Sequence, residues 1–157
     1  MPCVKFTRCP EGQQSADAQL FTLVIFVRIL PSLRVARILI IDDNVSVLQT
    51  LDSYLRNEGH TVIQAESGPL GLRLAAEQRP DLVMLDVEMP RMSGFAACEA
   101  IRNDPALRTL PVLMMTARFT QDAVTRGETC GASVVMEKPF KFDQLSATIA
   151  TLLAAAG

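Results

Sequence analysis

The chain has 157 residues, of which 49% are hydrophobic and 20% are charged, which is typical of one globular domain with a sizeable core and not of a disordered chain. The net charge is -2 and the basic residues form no cluster, which argues against nucleic-acid binding through phosphate contacts. The single histidine, His60, and the scattered cysteines Cys3, Cys9, Cys98 and Cys130 do not fit a zinc site, a histidine-dependent triad or a disulfide framework.

The first 36 residues differ from the rest of the chain. They contain the apolar run LFTLVIFVRIL over 20–30, which is too short to span a bilayer. Acidic residues precede it and no small-residue cleavage site follows it, so it does not fit a secretory signal peptide. Three interpretations stay open: an extension packed on the domain, an interfacial anchor, or a start codon placed too far upstream. We favour the last, and expect residues 1–36 to be an N-terminal extension and residues 37–157 to form the functional domain.

From residue 37 onward, apolar runs alternate with segments of helical periodicity. The run RILII over 37–41 leads into a helix over 45–59, where Leu48, Leu51 and Leu55 have helical spacing. The later elements follow in the same alternation: strand 61–65, helix 68–78, strand 81–86, helix 93–103, strand 111–116, helix 121–131, strand 133–137 and helix 142–155.

The five predicted strands are continuous apolar runs and not alternating ones. Strands of this type are buried on both faces, as in a parallel sheet covered by helices on each side. The last helix carries Phe142, Leu145, Ile149 and Leu152 in one stripe, which we expect to face the core. Five strand–helix units with right-handed connections predict a doubly wound α/β domain, and we expect no second domain.

Polar and charged residues lie at the carboxyl ends of these strands. The first strand runs into Asp42 and Asp43, the third ends at Asp86, the fourth ends at Thr116, and the fifth runs into Lys138. Binding sites of open α/β sheets form at this edge. Two carboxylates about 4 Å apart repel by roughly 4 kcal/mol at an effective dielectric constant of 20. Three carboxylates therefore require a proton or a cation, and hard oxygen ligands suit Mg²⁺.

Together, these residue types predict a receiving site for a phosphoryl group. A metal ion, the Lys138 ammonium and the Thr116 hydroxyl are suited to stabilise phosphoryl oxygens. A carboxylate directed into such a site can act as the nucleophile and form an aspartyl phosphate. A lone aspartate at a strand end is usually a turn or helix cap, and we assign Asp104 and Asp122 to that class.

Four motifs, in this order, resemble the receiver domain of bacterial two-component response regulators: IIDDN (40–44), LVMLDVEMPRMSG (82–94), LMMTA (113–117) and MEKPF (136–140). The resemblance covers residues 37 to about 154. It implies a flavodoxin-like domain with a five-stranded parallel sheet of order 2-1-3-4-5 and helices on both faces. Because no output domain follows in this sequence, we expect a stand-alone receiver.

The resemblance also implies a role for each residue at the strand ends. Asp86 is expected to be the phosphoacceptor, with Thr116 and Lys138 contacting the phosphoryl group. Asp43 is expected to bind Mg²⁺ directly and Asp42 through water. The full set of expected metal ligands is Asp42, Asp43, Asp86 and the backbone carbonyl of Glu88. The peptide bond between Lys138 and Pro139 is expected to be cis.

A receiver of this kind takes its phosphoryl group from a phosphohistidine on a sensor histidine kinase or a histidine phosphotransfer protein. We expect a Mg²⁺-dependent reaction that changes the surface of strand four, helix four and strand five, and with it the contacts to a downstream protein target. We expect no nucleic-acid partner, no membrane span and a cytoplasmic location. We also expect no enzymatic activity beyond self-catalysed phosphorylation and dephosphorylation.

The chain departs from the family pattern at Val135, three residues before the lysine, where many receivers carry Tyr or Phe as a rotating switch. This departure puts the usual output surface in question and leaves the phosphorylation site intact. At the rim of the site, we expect Glu88 and Arg118 to pair and to limit the access of water.

Two other functions stay open. One is a receiver-like scaffold that binds partners without being phosphorylated, which Val135 favours and the complete set of site residues argues against. The other is a Mg²⁺-dependent aspartyl-phosphate hydrolase of similar fold. Such hydrolases require D-x-D after the first strand, whereas this chain has Asp42, Asp43 and Asn44 in succession.

Overall fold

The computed structural model describes residues 35–156. In this range, five parallel strands form one sheet of order β2-β1-β3-β4-β5, which confirms the predicted fold. The strands are β1 (Arg37–Ile41), β2 (Thr61–Ala65), β3 (Leu82–Asp86), β4 (Val112–Thr116) and β5 (Val134–Glu137). The helices are α1 (Val45–Asn57), α2 (Gly68–Gln78), α3 (Gly94–Asn103), α4 (Gln121–Thr129) and α5 (Phe142–Ala155).

The central strands β1, β3 and β4 are buried on both faces, as their continuous apolar runs predict. In β1, the four residues from Ile38 to Ile41 have no exposed surface. Successive side chains of a strand point to opposite faces. Leu39 and Ile41 accordingly pack on the side of α2, α3 and α4, whereas Ile38 and Ile40 pack on the side of α1 and α5. The domain therefore has two cores, one on each side of the sheet.

Phe142 does not join the buried stripe that the sequence predicts for α5. Leu145, Ile149 and Leu152 are buried, whereas Phe142 is 42% exposed. Its ring stacks on Tyr54 of α1, with the ring centroids 4.2 Å apart, and the Tyr54 hydroxyl donates to the Phe142 carbonyl at 3.0 Å. The first turn of α5 packs against α1 and not against the sheet. Helical periodicity alone therefore predicts a buried position for Phe142 that the structure does not have.

Helix α4 lies close to β5 at Gly127. A Cβ atom at this glycine would lie 2.4 Å from Val135 Cγ2, which is closer than two carbon atoms can approach. Val135 stands where many receivers carry an aromatic switch residue. In this chain, the helix backbone itself packs on a valine at that position.

We expect Gly127→Ala to lower the free energy of unfolding by about 1–2 kcal/mol through overpacking, measured by chemical denaturation. Alanine favours a helix interior over glycine by about 1 kcal/mol, but the overlap with Val135 outweighs that gain. In a Val135→Ala background, which removes Cγ2, the same substitution should be neutral or stabilising. An equal loss in both backgrounds would contradict this packing argument.

The predicted N-terminal extension lies almost wholly outside the described residues, and so does its apolar run over 20–30. The interpretations of residues 1–36 therefore stay predictions. Between residues 35 and 156, no helix has the length and apolar character needed to cross a membrane.

Candidate phosphoacceptor site

The predicted site residues converge at one edge of the sheet. All strand pairings are parallel, so the carboxyl ends of the strands share that edge. Asp42 directly follows β1, Asp86 ends β3, Thr116 ends β4 and Lys138 directly follows β5. Within residues 35–156, Asp42, Asp86 and Thr116 are also the buried polar or charged residues, at 1%, 4% and 0% exposure. The buried polar and charged side chains of the described residues are thus gathered at this one place.

Three carboxylates form a compact cluster at this edge. Asp42, Asp43 and Asp86 each contribute an oxygen, and these oxygens lie within 4.8 Å of one another. The Asn44 amide donates to Asp42 Oδ1 at 2.9 Å, which fixes the orientation of that side chain, while Asp43 is exposed. A set of hard oxygen ligands with one side open to water fits a Mg²⁺ ion that keeps several water ligands.

Lys138 joins two of the three carboxylates. Its Nζ donates to Asp42 Oδ2 at 2.7 Å and to Asp86 Oδ1 at 2.8 Å. Burial on its own lowers the pKa of Lys138, but the hydrogen bonds and charges of Asp42 and Asp86 outweigh burial, so the pKa lies above its usual value. The lysine is therefore protonated at neutral pH and offsets part of the negative charge.

The backbone around Lys138 holds the lysine beside β4. The Lys138 amide donates to the Thr116 carbonyl at 2.8 Å, and the peptide bond to Pro139 is cis, as expected. Thr116 and Lys138 thus flank the acid cluster from neighbouring strands.

A comparison with known proteins identifies the family of this chain. The family model of the response regulator receiver domain matches residues 38–150. The chain belongs to the response regulator receiver family. The receiver match covers four strands and four helices completely, all of β1 except its first residue, Arg37, and the first part of α5.

Relatives and solved structures agree with this assignment. The Protein PilH of Pseudomonas aeruginosa is 34% identical over 119 residues, which cover 76% of this chain and 98% of PilH. The DNA-binding dual master transcriptional regulator RpaA of Synechocystis sp. is 37% identical over 117 residues; the chain spans about half of its length, 48%. The crystal structure of the chemotaxis protein CheY4 of Vibrio cholerae matches with a TM-score of 0.73 and 30% identity, over 76% of this chain and 99% of CheY4.

In this receiver, the carboxyl group of Asp86 is under opposing influences. Burial raises the pKa of Asp86, the hydrogen bond and charge of Lys138 lower it, and the charges of Asp42 and Glu88 raise it, so that the pKa lies above its usual value. A raised pKa means that the carboxylate is less stabilised than in water. The Asp86 carboxylate therefore binds a proton more readily than the carboxylate of an exposed aspartate.

Glu88 makes a side-chain contact that the sequence did not predict. Its Oε1 accepts a hydrogen bond from Thr116 Oγ1 at 2.9 Å, and its Oε2 accepts one from the Ala117 amide at 3.3 Å. Only the position of Glu88 in the sequence could have indicated this contact. Glu88 lies two residues after β3, and β3 is adjacent to β4 in the sheet.

The prediction of an ion pair between Glu88 and Arg118 is wrong, since the ion pairs among the described residues do not include it. The cations in the ion pairs there are Arg56, Arg73 and Lys138. The Glu88 carboxylate contacts the end of β4 instead. Arg118 contacts Thr116 through its backbone, as its amide donates to Thr116 Oγ1 at 3.0 Å.

Proposed function

We propose that this receiver domain accepts a phosphoryl group onto Asp86 from a phosphohistidine of a sensor histidine kinase or a histidine phosphotransfer protein. The observation that carries the proposal is the convergence of Asp42, Asp86, Thr116 and Lys138 at one edge of the sheet. A fold that buries its polar side chains only for packing would not collect two acids, a hydroxyl and an ammonium in one place.

The residues that would hold Mg²⁺ are Asp42, Asp43 and Asp86, together with the backbone carbonyl of Glu88. The clustered carboxylate oxygens support this set. When bound, the ion supplies positive charge to the phosphoryl oxygens and aligns the donor with the nucleophile.

Asp86 supplies the nucleophile for the transfer. One of its carboxylate oxygens forms the new P–O bond, the P–N bond of the phosphohistidine breaks, and the electron pair stays on the departing imidazole nitrogen. Lys138 already donates to Asp86 Oδ1 and is placed to donate to a phosphoryl oxygen. The Thr116 hydroxyl provides a second donor from the end of β4.

The product adds about −1.5 to −2 units of charge at neutral pH beside the buried carboxylate of Asp42. Thr116 ends β4, so its reorientation toward the phosphoryl group is transmitted to the loop that leads into α4. This supports a switch in protein contacts on the surface of β4, α4 and β5. Hydrolysis of the acyl phosphate then resets the receiver.

A protein phosphodonor fits the surface beside the site. A groove of about 490 Å³ lies next to Lys138 and is lined mainly by apolar side chains: Val47, Leu51, Pro139, Phe140 and Phe142. Exposed apolar surface at the mouth of a reactive site is typical of a protein docking site. We accordingly propose protein partners for residues 37–157. From the receiver family we also propose a location in the cytoplasm and no catalysis beyond phosphorylation and dephosphorylation of the domain itself.

Treatment of the full chain with phosphoramidate, with and without Mg²⁺, followed by intact mass spectrometry, tests the proposal. We expect one Mg²⁺-dependent phosphoryl adduct that Asp86→Asn abolishes. Asp104→Asn is the matched control, since Asp104 caps a loop by accepting from the Ala106 amide. No adduct on folded wild-type protein supplied with Mg²⁺ would favour the unphosphorylated scaffold, and an adduct retained by Asp86→Asn would place the acceptor elsewhere.

A further inference from the structure

We propose that the Glu88 carboxylate acts as a latch on the end of β4, which occupies the hydrogen-bond donors that the phosphoryl group requires and so restrains phosphorylation of Asp86. This inference rests on the proposed function of Asp86. Glu88 is a positioning residue in this scheme, because it acts through Thr116 and Ala117.

The Thr116 hydroxyl is fully oriented by its two partners. A hydroxyl group has one proton to donate, and Thr116 donates it to Glu88 Oε1 at 2.9 Å. Its oxygen accepts from the Arg118 amide at 3.0 Å. A phosphoryl oxygen on Asp86 requires the same proton, so the hydroxyl has to release Glu88 before it can bind the product.

The second oxygen of Glu88 engages a second donor. The Ala117 amide donates to Oε2 at 3.3 Å, so one carboxylate spans the hydroxyl and the amide at the end of β4. These are donors of the type that bind a phosphoryl group. An incoming phosphoryl anion competes with Glu88 for them and is repelled by its charge.

Because Glu88 is exposed and Thr116 is buried, the latch can be released. Thr116 is completely buried, so its hydroxyl needs a partner at every stage. Glu88 is exposed, so its carboxylate can turn into water without losing hydration. Exchange of Glu88 for a phosphoryl oxygen replaces one hydrogen bond of Thr116 with another, and the latch therefore slows the reaction without blocking it.

Two substitutions of Glu88 separate the charge from the hydrogen bond. Glu88→Gln keeps an oxygen acceptor for Thr116 and removes the charge, whereas Glu88→Ala removes both. We expect the rate of adduct formation with phosphoramidate at saturating Mg²⁺ to rise about threefold in Glu88→Gln and about tenfold in Glu88→Ala, the latter corresponding to about 1.4 kcal/mol, the order of one hydrogen bond. Asp122→Asn is the matched control, since Asp122 lines the same groove as Glu88 and we expect its substitution to leave the rate unchanged.

A double variant tests whether Glu88 acts through the threonine. In a Thr116→Ala background, Glu88→Ala should raise the rate only about threefold, the part that Glu88→Gln assigns to the charge, because the hydroxyl that Glu88 holds is gone. The same tenfold acceleration in both backgrounds would show that Glu88 only repels the donor or obstructs the site, and would overturn the latch.

The latch has a readout that needs neither Mg²⁺ nor a phosphodonor. In metal-free protein, the amide resonance of Ala117 should shift in Glu88→Ala and stay in place in Asp122→Asn, measured by ¹H–¹⁵N correlation spectra. An unshifted Ala117 amide would overturn the contact itself. If wild-type protein forms no adduct, the proposed function fails and the latch fails with it, whereas an adduct that forms at equal rates in wild type and Glu88→Ala overturns the latch alone.

Discussion

Substitution of Lys138 by methionine is expected to lower the free energy of unfolding at pH 7, without Mg²⁺, by about 2–3 kcal/mol. The change removes the ammonium that binds Asp42 and Asp86, and both carboxylates are almost completely buried. Removal of one partner from a fully buried ion pair costs about 3–5 kcal/mol. The Lys138 side chain is 21% exposed, so water reaches this site and we expect a loss at or just below the lower end of that range. Chemical denaturation measures the loss.

The loss should shrink as the pH falls. Burial already raises the pKa of Asp86 above its usual value of 3.8, and loss of the lysine raises it further. A carboxyl group with a raised pKa binds protons more readily in the folded than in the unfolded state, so its unfavourable effect is present above the folded-state pKa and disappears as the pH falls to 3.8. In the wild type, the raised pKa of Lys138 has the opposite consequence. Protonated Lys138 stabilises the folded state fully below pH 10.5, and this stabilisation is lost as the pH rises through the pKa of Lys138 in the folded state.

Mg²⁺ should restore part of the stability of Lys138→Met, because a cation that binds only the folded state shifts unfolding by mass action. Lys141→Met is the matched control. Lys141 is exposed and close in sequence, and its substitution should change the free energy of unfolding by less than about 0.5 kcal/mol. If the loss in Lys138→Met does not respond to pH or to Mg²⁺, it comes from packing of the aliphatic chain and not from the unpaired carboxylates.

The features that the sequence predicts best are those that repeat along the chain. The apolar runs locate all five strands, most directly β3 and β4, in which every residue is buried. The family motifs supply the strand order. The convergence of Asp42, Asp86, Thr116 and Lys138 then follows from the geometry of a parallel sheet. To predict this convergence, it is enough to know where the strands end, without knowing the side-chain rotamers.

The features that the sequence misses depend on the direction of single side chains. Glu88 and Arg118 have opposite charges and both lie near the rim of the site. The Glu88 carboxylate nevertheless binds Thr116, at the end of the adjacent strand β4. Phe142 has the spacing of a core residue and yet stacks on α1. Neither a helical period nor a charge pair fixes which neighbour a side chain meets at the end of an element.

Gly94, at the start of α3, controls a further feature that residue spacing does not reveal, which is the distance between this helix and β3. A Cβ atom at Gly94 would lie 2.2 Å from the backbone oxygen of Asp86 and 2.9 Å from Val87 Cα. The Gly94 amide also donates to the Val87 carbonyl at 3.0 Å. The loop from β3 to α3 thus folds back tightly on the residue that carries the proposed nucleophile.

We expect Gly94→Ala to lower the free energy of unfolding by about 3 kcal/mol, at the upper end for overpacking, because the overlap is with backbone and no side-chain rotation relieves it. The helix has to move away from β3, or the end of β3 has to move. A displacement of about 1 Å at a reacting group can cost about 100-fold in rate. We therefore expect the folded variant to be phosphorylated by phosphoramidate at least about tenfold more slowly than wild type.

Gly127→Ala is the matched control for this prediction. Its added methyl group overlaps a side chain, Val135, instead of the backbone of Asp86, so it should cost stability without slowing phosphorylation of the folded protein. Rates compared at a temperature and denaturant concentration where both variants are fully folded separate the two effects. Equal rates for Gly94→Ala and Gly127→Ala would mean that the close approach of α3 serves stability alone, and that the position of Asp86 is set by Lys138 and the strand pairing on either side of β3.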